Sequence, residues 1–125
     1  MTTSIDTVNM FLQATGSARA DVDAATQLMT EDVQFIGPLM RTSGRAEYAA
    51  LLRQFLPAHV DTQVLRQFAD GDEVCSIDKL VVRSPSGATV TLEMAEWFRL
   101  RDGRIAEHRI YYDPREFAAA FGMGA

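Results

Sequence analysis

Hydrophobic and polar residues alternate most regularly between Val74 and Asp113, and this pattern predicts three consecutive strands. Strand side chains point to opposite faces with a period of two, so the even-numbered positions share one face. That face carries Val74, Ser76, Asp78, Leu80, Val82, Val90, Leu92, Met94, Glu96, Phe98, Ala106, His108, Ile110 and Tyr112. The odd-numbered positions are mostly polar. The even-numbered face is therefore predicted to point into the protein, and it carries three ionisable side chains.

Two turns join these strands and set their register. Residues 85–87 (Pro-Ser-Gly) suit a three-residue loop with glycine in the left-handed conformation. This loop predicts that Ser84 and Ala88 close the first hairpin.

Residues 101–103 (Arg-Asp-Gly) suit the same loop, which would place Glu96 opposite His108 and Phe98 opposite Ala106. A two-residue Asp-Gly turn would instead set Glu96 opposite Arg109. We prefer the three-residue loop because it keeps the apolar residues of the last strand on the inner face.

Apolar residues at helical spacing predict three helices ahead of these strands. The first is expected to begin at Ser4 and to end near Gly16, the second to begin at Asp21, and the third to run from residue 43 to Pro57. Further predicted elements are a short strand over residues 32–36, a strand over residues 59–68 and a C-terminal helix over residues 114–122. The strand at 59–68 has apolar residues at both parities, as a β-bulge would produce.

Helices followed by a mostly antiparallel sheet predict an α+β fold in which helices cover one face of the sheet. A length of 125 residues accommodates one hydrophobic core, so residues 1–125 are expected to form a single domain.

Composition and charge exclude several classes of protein. A net charge of −5, without any Lys/Arg cluster, argues against a nucleic-acid partner. No apolar run approaches bilayer length and no signal-peptide pattern is present at the N-terminus, so no membrane association is expected. The single cysteine, Cys75, cannot form an internal disulfide and fits a reducing compartment. We predict a cytoplasmic protein.

Three segments of the chain form a recognisable pattern: residues 31–35 (EDVQF), Gly44 at the start of the third helix, and residues 96–105 (EWFRLRDGRI) running into 109–113 (RIYYD). Together with the order of the elements, they resemble the nuclear transport factor 2-like superfamily, and within it the SnoaL-like polyketide cyclases, ketosteroid isomerases and limonene epoxide hydrolases. The resemblance implies a cone-shaped α+β barrel, with three N-terminal helices packed on a curved, mostly antiparallel sheet. It implies activity less specifically, because the superfamily includes enzymes, binding proteins and transport factors.

Residue by residue, the resemblance carries over only part of each known site. Glu96 matches the protonated acid of the oxyanion hole of ketosteroid isomerases, whereas the position of their base is Gly37. Asp78 matches the second member of the Arg-x-Asp pair of limonene epoxide hydrolases, with Ser76 in place of the arginine. Ile110 stands where those hydrolases have their second catalytic aspartate and where the cyclases have an acid-base aspartate.

Asp78, Glu96 and His108 are the predicted catalytic residues. A carboxylate opposite an imidazole raises the pKa of the imidazole, while apolar walls favour the neutral form of a second carboxyl. A proton acceptor beside a proton donor is what enolisation, double-bond migration or aldol-type ring closure requires. The alternative is that Glu96 and His108 form a structural pair at a solvated end of the sheet.

The predicted substrate-binding residues are apolar or aromatic and are expected on the covered face: Phe35, Tyr48, Leu80, Met94, Phe98, Ile110 and Tyr112. Tyr48 and Tyr112 could donate a hydrogen bond to a carbonyl oxygen or could simply complete the core. His59 is expected at the surface. With two histidines, one cysteine and no ligand motif, neither a metal site nor a cofactor is expected.

These observations favour a cofactor-independent enzyme of the cyclase or isomerase type that acts on a hydrophobic, carbonyl-containing, polyketide- or steroid-like small molecule. Two alternatives stay open at this level: an epoxide hydrolase of the limonene epoxide hydrolase type, and a domain that only binds a ligand or dimerises.

We also predict a homodimer, because the outer face of the sheet carries apolar residues among its charges: Ile77, Val81, Ala95, Trp97 and Tyr111. Sheet-to-sheet dimers are frequent in the superfamily that the chain resembles. Size-exclusion chromatography with light scattering should give about twice the chain mass of 13.8 kDa. A clean monomer at micromolar concentration would contradict the prediction.

Overall fold

A computed structural model describes residues 2–16 and 20–123. Within them the chain forms helices and strands in the order α1 (Ser4–Thr15), α2 (Val22–Gln27), β1 (Met29–Ile36), β2 (Arg41–Ser43), α3 (Arg45–Phe55), a 3₁₀ turn (Leu56–Ala58), β3 (His59–Asp70), β4 (Glu73–Arg83), β5 (Thr89–Arg101), β6 (Arg104–Tyr111) and α4 (Arg115–Phe121). The predicted α+β class is confirmed, and so are the three N-terminal helices and the C-terminal helix.

The strands form one sheet in the order β2-β1-β6-β5-β4-β3. Neighbouring strands are antiparallel except β1 and β6, which are parallel. The sheet is open, with β2 and β3 at its edges, so the expected barrel does not close. The edge strand β2, which the sequence pattern did not predict, pairs with the end of β1, where the Gly37 N–H donates to Met40 O at 2.9 Å.

The helix starts follow local capping chemistry. Asp21 caps α2 as predicted, since its side chain accepts from Ala24 N at 3.0 Å. The cap of α1 is Thr3 rather than Ser4, because Thr3 and Asp6 exchange side-chain hydrogen bonds with each other's backbone N–H in a capping box.

The first hairpin has the predicted three-residue loop, with Ser84 N donating to Ala88 O at 2.8 Å. The edge strand β3 carries two irregularities, between His59 and Asp61 and between Val64 and Arg66. These bulges account for its apolar residues at both parities.

The predicted register of the second hairpin is wrong. Arg101 pairs with Arg104 around a two-residue turn in which Asp102 and Gly103 have φ values of 53° and 78°. Asp-Gly accepts positive φ at both positions, and the twist of such a turn matches that of the flanking strands. Further along, Leu100 pairs with Ile105 and Arg99 with Glu107, so one extra residue, Ala106, sits in a bulge.

The turn and the bulge together shift β6 by two residues relative to the prediction. Glu96 therefore lies opposite Ile110, and Phe98 lies opposite His108. A shift of two preserves the face on which each side chain lies. The even-numbered face is buried as predicted, from Val74 on β4 to His108 on β6.

Apolar side chains remain exposed on two surfaces of the sheet. On the outer face Tyr111 is 57% exposed, and Trp97 is half-buried beneath Arg109. The edge strand β3 adds a second set that is 42–54% exposed: Val60, Val64, Leu65 and Phe68. The homodimer stays a prediction.

None of the described helices has the length and apolar character needed to cross a membrane.

Gly44 begins α3 with φ 91° and ψ 156°, a conformation that other residues adopt only under strain. We expect Gly44→Ala to destabilise the protein by about 1–3 kcal/mol, measured by urea unfolding. We also expect it to weaken the contacts of Tyr48, whose N–H donates to Gly44 O one helical turn later.

Gly87→Ala is the matched control, because Gly87 has φ 90° in an exposed loop far along the chain from α3. It should lower stability without changing the NMR signals of Tyr48. If Gly44→Ala left both stability and those signals unchanged, the position would not require glycine.

Candidate active site

A cavity of about 190 Å³ lies between the inner face of the sheet and the helices α1, α3 and α4. Six of the seven predicted substrate-binding residues line it: Phe35, Tyr48, Leu80, Met94, Ile110 and Tyr112. All three predicted catalytic residues, Asp78, Glu96 and His108, also contribute to its wall. The structure thus brings nine of the ten predicted side chains together around one cavity.

Phe98 is the exception, because it is fully buried beneath the cavity wall and does not line the cavity. Its ring stacks on His108 with a centroid distance of 4.1 Å and an interplanar angle of 12°. The cross-strand pairing of Phe98 with His108, created by the shifted register, causes this stacking. Phe98 therefore supports the imidazole and does not offer a surface to a ligand.

His59 is also placed differently from the prediction. It is half-buried, lines the cavity, and its Nε2 lies 2.7 Å from Thr62 Oγ1. Burial lowers the pKa of its imidazole. The sequence signal, a histidine two residues after Pro57, could not reveal that the 3₁₀ turn directs β3 along the cavity.

Glu96 and His108 meet as predicted, with 2.8 Å between Glu96 Oε1 and His108 Nε2, although they are diagonal rather than direct neighbours on the sheet. The other ring nitrogen, Nδ1, lies 2.5 Å from the hydroxyl of Tyr48. Phe11 and Phe35 pack their edges against the imidazole, each with a centroid distance of 5.4 Å. The imidazole is held on both sides by hydrogen bonds and enclosed by aromatic rings.

Burial decides the charge of His108, contrary to the expectation that Glu96 would raise its pKa. Removal from water lowers the pKa of His108 to about 3, and this effect outweighs the opposing charge of Asp78. The same burial raises the pKa of Glu96 and raises that of Tyr48 well above its ordinary value. The His108–Glu96 contact is therefore a hydrogen bond of a neutral imidazole and not an ion pair.

Asp78 is fully buried, and Ser76 Oγ donates to its Oδ1 at 2.7 Å. Among the described residues, Oδ2 has no donor within hydrogen-bonding distance. Burial, and then the hydrogen bond and charge of Glu96, raise the pKa of Asp78 to about 8. The apolar walls thus favour a neutral second carboxyl, as the sequence predicted.

The proton positions follow from these contacts. Two carboxyls in contact within an apolar site cannot both ionise, so Asp78 and Glu96 retain one proton between them at neutral pH. With the proton on Asp78, Glu96 can accept from Asp78 and from the N–H at Nε2 of His108. Nδ1 of His108 then accepts from the Tyr48 hydroxyl. In this arrangement both ring nitrogens of His108 are paired.

Sequence reasoning missed Ser76 as a member of this network, and it missed the partner of Tyr48. Ser76 shares a face with Asp78 two residues along the same strand, so the period-two pattern contained the signal. Tyr48 was predicted as a substrate-binding or core residue, and no local pattern indicated its contact with a histidine 60 residues away.

In the described part of the chain, no three His, Cys, Asp or Glu side chains are arranged to hold a metal ion.

The raised pKa of Asp78 makes a prediction about stability. Between about pH 4 and pH 8 the unfolded chain loses this proton while the folded protein keeps it. The stability that this proton gives is complete below the ordinary pKa and is lost as the pH rises through the folded-state pKa. Asp78→Asn removes this titration, so its stability relative to wild type should increase with pH, by up to about 1.4 kcal/mol per pH unit.

Urea unfolding at pH 5 and pH 8 would measure the effect, with Asp72→Asn on the exposed β3–β4 turn as the control. An equal difference between Asp78→Asn and wild type at both pH values would contradict it.

Comparisons with known proteins agree with this architecture. An NTF2-like protein of unknown function from Cytophaga hutchinsonii has a TM-score of 0.80 and 24% identity, over 94% of this chain and 96% of that one. A candidate SnoaL-like polyketide cyclase from Jannaschia has a TM-score of 0.79 and 19% identity, over 98% and 93% of the two chains. An LEH-like epoxide hydrolase from M. tuberculosis has a TM-score of 0.79 and 23% identity, over 94% and 88%.

At these identities the structural similarity shows the fold alone. No curated protein sequence matches the chain significantly. The family model of the SnoaL-like domain, however, matches residues 8–108, which contain the cavity wall from Phe11 to His108. The chain belongs to the SnoaL-like domain family.

Proposed function

We propose that this protein is a cofactor-independent enzyme that applies general acid-base catalysis to a hydrophobic, carbonyl-containing small molecule, in a cyclisation or isomerisation of a polyketide- or steroid-like compound. The observation that carries the proposal is the meeting of two buried carboxyls, Asp78 and Glu96, at the wall of an apolar cavity. Burying such groups costs free energy, and an apolar ligand alone would need neither.

Asp78 is the proposed acid. Ser76 occupies its Oδ1, and its raised pKa of about 8 keeps a proton available at neutral pH. A substrate carbonyl oxygen that reaches Oδ2 would receive this proton as the enol forms.

Glu96 is the proposed base. Its ionised form is stabilised by the N–H of His108 Nε2 and by the Asp78 proton. It would remove a proton from the carbon next to the carbonyl, while Asp78 protonates the oxygen. In an isomerisation, the proton on Glu96 would return at another carbon and so move the double bond. In a ring closure, the enol carbon would attack a second carbonyl carbon, and the new alkoxide would take the proton from Glu96. In both reactions the enol O–H proton returns to Asp78, which restores the starting state of the two carboxyls.

His108 and Tyr48 would hold the base in place. Tyr48 retains its proton, because burial raises its pKa well above the ordinary value, and its hydroxyl can donate to Nδ1. This bond fixes the tautomer of His108 that carries hydrogen on Nε2, facing Glu96.

The shape and lining of the cavity fit the same substrate class. Its walls are largely aliphatic and aromatic, and its volume of about 190 Å³ favours a compact ring system for the enclosed part of the substrate. The structural similarity to a candidate SnoaL-like polyketide cyclase also supports this choice.

Epoxide hydrolysis is the second candidate, favoured by the same pair of carboxyls. Asp78 would protonate the epoxide oxygen while ionised Glu96 activates a water molecule. The LEH-like epoxide hydrolase among the structural neighbours supports it.

The test is incubation with three groups of lipophilic compounds: β,γ-unsaturated ketones, 1,3-diketones that carry a third carbonyl, and epoxides. Chromatography with mass spectrometry separates the outcomes. Isomerisation gives a product of unchanged mass and a different retention time. Aldol-type ring closure gives a product of unchanged mass or of a mass lower by one water, and hydrolysis gives a product heavier by one water. Native mass spectrometry that detects binding without any turnover would instead support a ligand-binding domain.

The roles of the two carboxyls predict how their variants behave. Neither Glu96→Gln nor Glu96→Ala can accept a proton, so both should lower kcat by about 10²-fold or more. Asp78→Asn keeps a hydrogen-bond donor and should retain more activity than Asp78→Ala. Steady-state kinetics at pH 7 would measure all four variants, with circular dichroism to verify folding.

The reverse pattern, with Glu96→Gln partly active and Asp78→Asn inactive, would exchange the two roles. If all four variants turned over substrate at the wild-type rate, the site assignment would be wrong.

A further inference from the structure

A series of hydrogen bonds connects the carboxyl pair to the half-buried Asn9 on helix α1. Gln67 on β3 donates through Nε2 to Asn9 Oδ1 on α1 at 2.7 Å and to Ser76 Oγ at 3.3 Å. Ser76 Oγ in turn donates to Asp78 Oδ1 at 2.7 Å. Gln67 and Ser76 are direct cross-strand partners, so the sheet itself sets their separation. The acid-base roles proposed above do not use Asn9 or Gln67.

The hydrogen bonds of this series run in one direction, from donor to acceptor, toward Asp78. Because Gln67 donates to the oxygen of Ser76, the serine hydroxyl hydrogen is free to point at Asp78. Because Oδ1 of Asp78 accepts that hydrogen, the proton of a neutral Asp78 carboxyl belongs on Oδ2. Oδ2 is also the atom without a donor among the described residues.

We propose that Gln67 and Ser76 are positioning residues that keep Oδ1 of Asp78 occupied and so confine the exchangeable proton of the carboxyl pair to Oδ2. Their importance for catalysis rests on the proposed acid-base function. The location of the proton rests on the hydrogen bonds alone.

The groups around Asp78 define what else could influence its titration. Titratable side chains come from β5 (Glu96), β6 (His108), α3 (Tyr48) and the start of β3 (His59), and Cys75 lies near it on β4. Helix α1 contributes the neutral Asn9 through Gln67. A change at Gln67 or Ser76 leaves all these titratable groups in place.

Two variants interrupt this series of hydrogen bonds at different points. Ser76→Ala removes the donor to Oδ1 of Asp78. Gln67→Glu keeps the shape of the side chain, but an ionised glutamate can only accept hydrogen bonds and would draw the Ser76 hydroxyl away from Asp78. Losing a hydrogen bond that favours the ionised carboxyl should raise the titration midpoint of Asp78 in both variants, by about 0.5–1 pH unit.

The midpoint can be measured without a substrate. Carbon-13 NMR of protein labelled at aspartate carboxyls reports it directly, with the Asp78 signal assigned by its loss in Asp78→Asn. Gln63→Glu is the matched control, because Gln63 is exposed on the same strand and puts the same charge there without contacting Ser76. In Gln63→Glu the titration midpoint of Asp78 should equal that of the wild-type protein.

The double variant separates a relayed effect from a simple charge effect. If Gln67 acts through Ser76, adding Gln67→Glu to Ser76→Ala should not raise the midpoint further. Additive shifts would show that Gln67→Glu acts only by its charge and would overturn the role of Gln67. An unchanged midpoint in folded Ser76→Ala would overturn the proposal altogether.

Kinetics provides the second measurement once a substrate has been found. Both single variants should lower kcat by about tenfold, because the proton of Asp78 is no longer confined to Oδ2. They should change KM by less than about twofold, because the apolar walls that bind the substrate stay intact. The alkaline limb of the pH–rate profile should move with the NMR midpoint. Shifted midpoints without turnover of any tested compound would support the positioning role while rejecting the proposed function.

Discussion

Burial of the Asp78–Glu96 carboxyl pair is the constraint on which the rest of this structure depends. Two acidic groups removed from water are tolerated only if their charge is limited and their hydrogen bonds are supplied by the protein. The protein meets both conditions, because the pair retains a proton and receives hydrogen bonds from Ser76 and His108. These partners, and those behind them, come from α1, α3, β3, β4 and β6. One polar network therefore connects α1, α3, β3 and β6 to the carboxyl pair on β4 and β5.

The surroundings of His108 show how packing and chemistry are coupled. Phe98 stacks on one side of its ring, while Phe11 and Phe35 approach by their edges. This aromatic enclosure contributes to the core and at the same time excludes the water that would stabilise a charged imidazole. His108 is thus held as a neutral imidazole beside Glu96. Asp78, whose pKa burial raises to about 8, is left as the group that titrates near neutral pH.

The second hairpin shows how much a site can depend on one extra residue. A two-residue turn alone would have moved every side chain of β6 to the opposite face. The bulge at Ala106 restores the alternation, so His108 returns to the inner face, where it reaches Glu96 diagonally. Its direct partner across the strands becomes Phe98, and that pairing provides the ring on which the imidazole stacks.

The sequence by itself determined the class of fold, the inner face of the sheet, the helices that cover it, and the convergence of Asp78, Glu96 and His108. Period-two and helical spacing are local properties, and the faces they assign to β6 survive here because the net register shift is two residues, which keeps each side chain on its face. Only the tertiary structure decided the register of β6, the charge of His108, the place of Phe98 below the cavity and the contact with Tyr48. Each of these depends on how deeply a side chain is buried or on which distant residue lies beside it. Those quantities are set by the packing of the whole chain, because desolvation and long-range contacts leave no trace in local spacing.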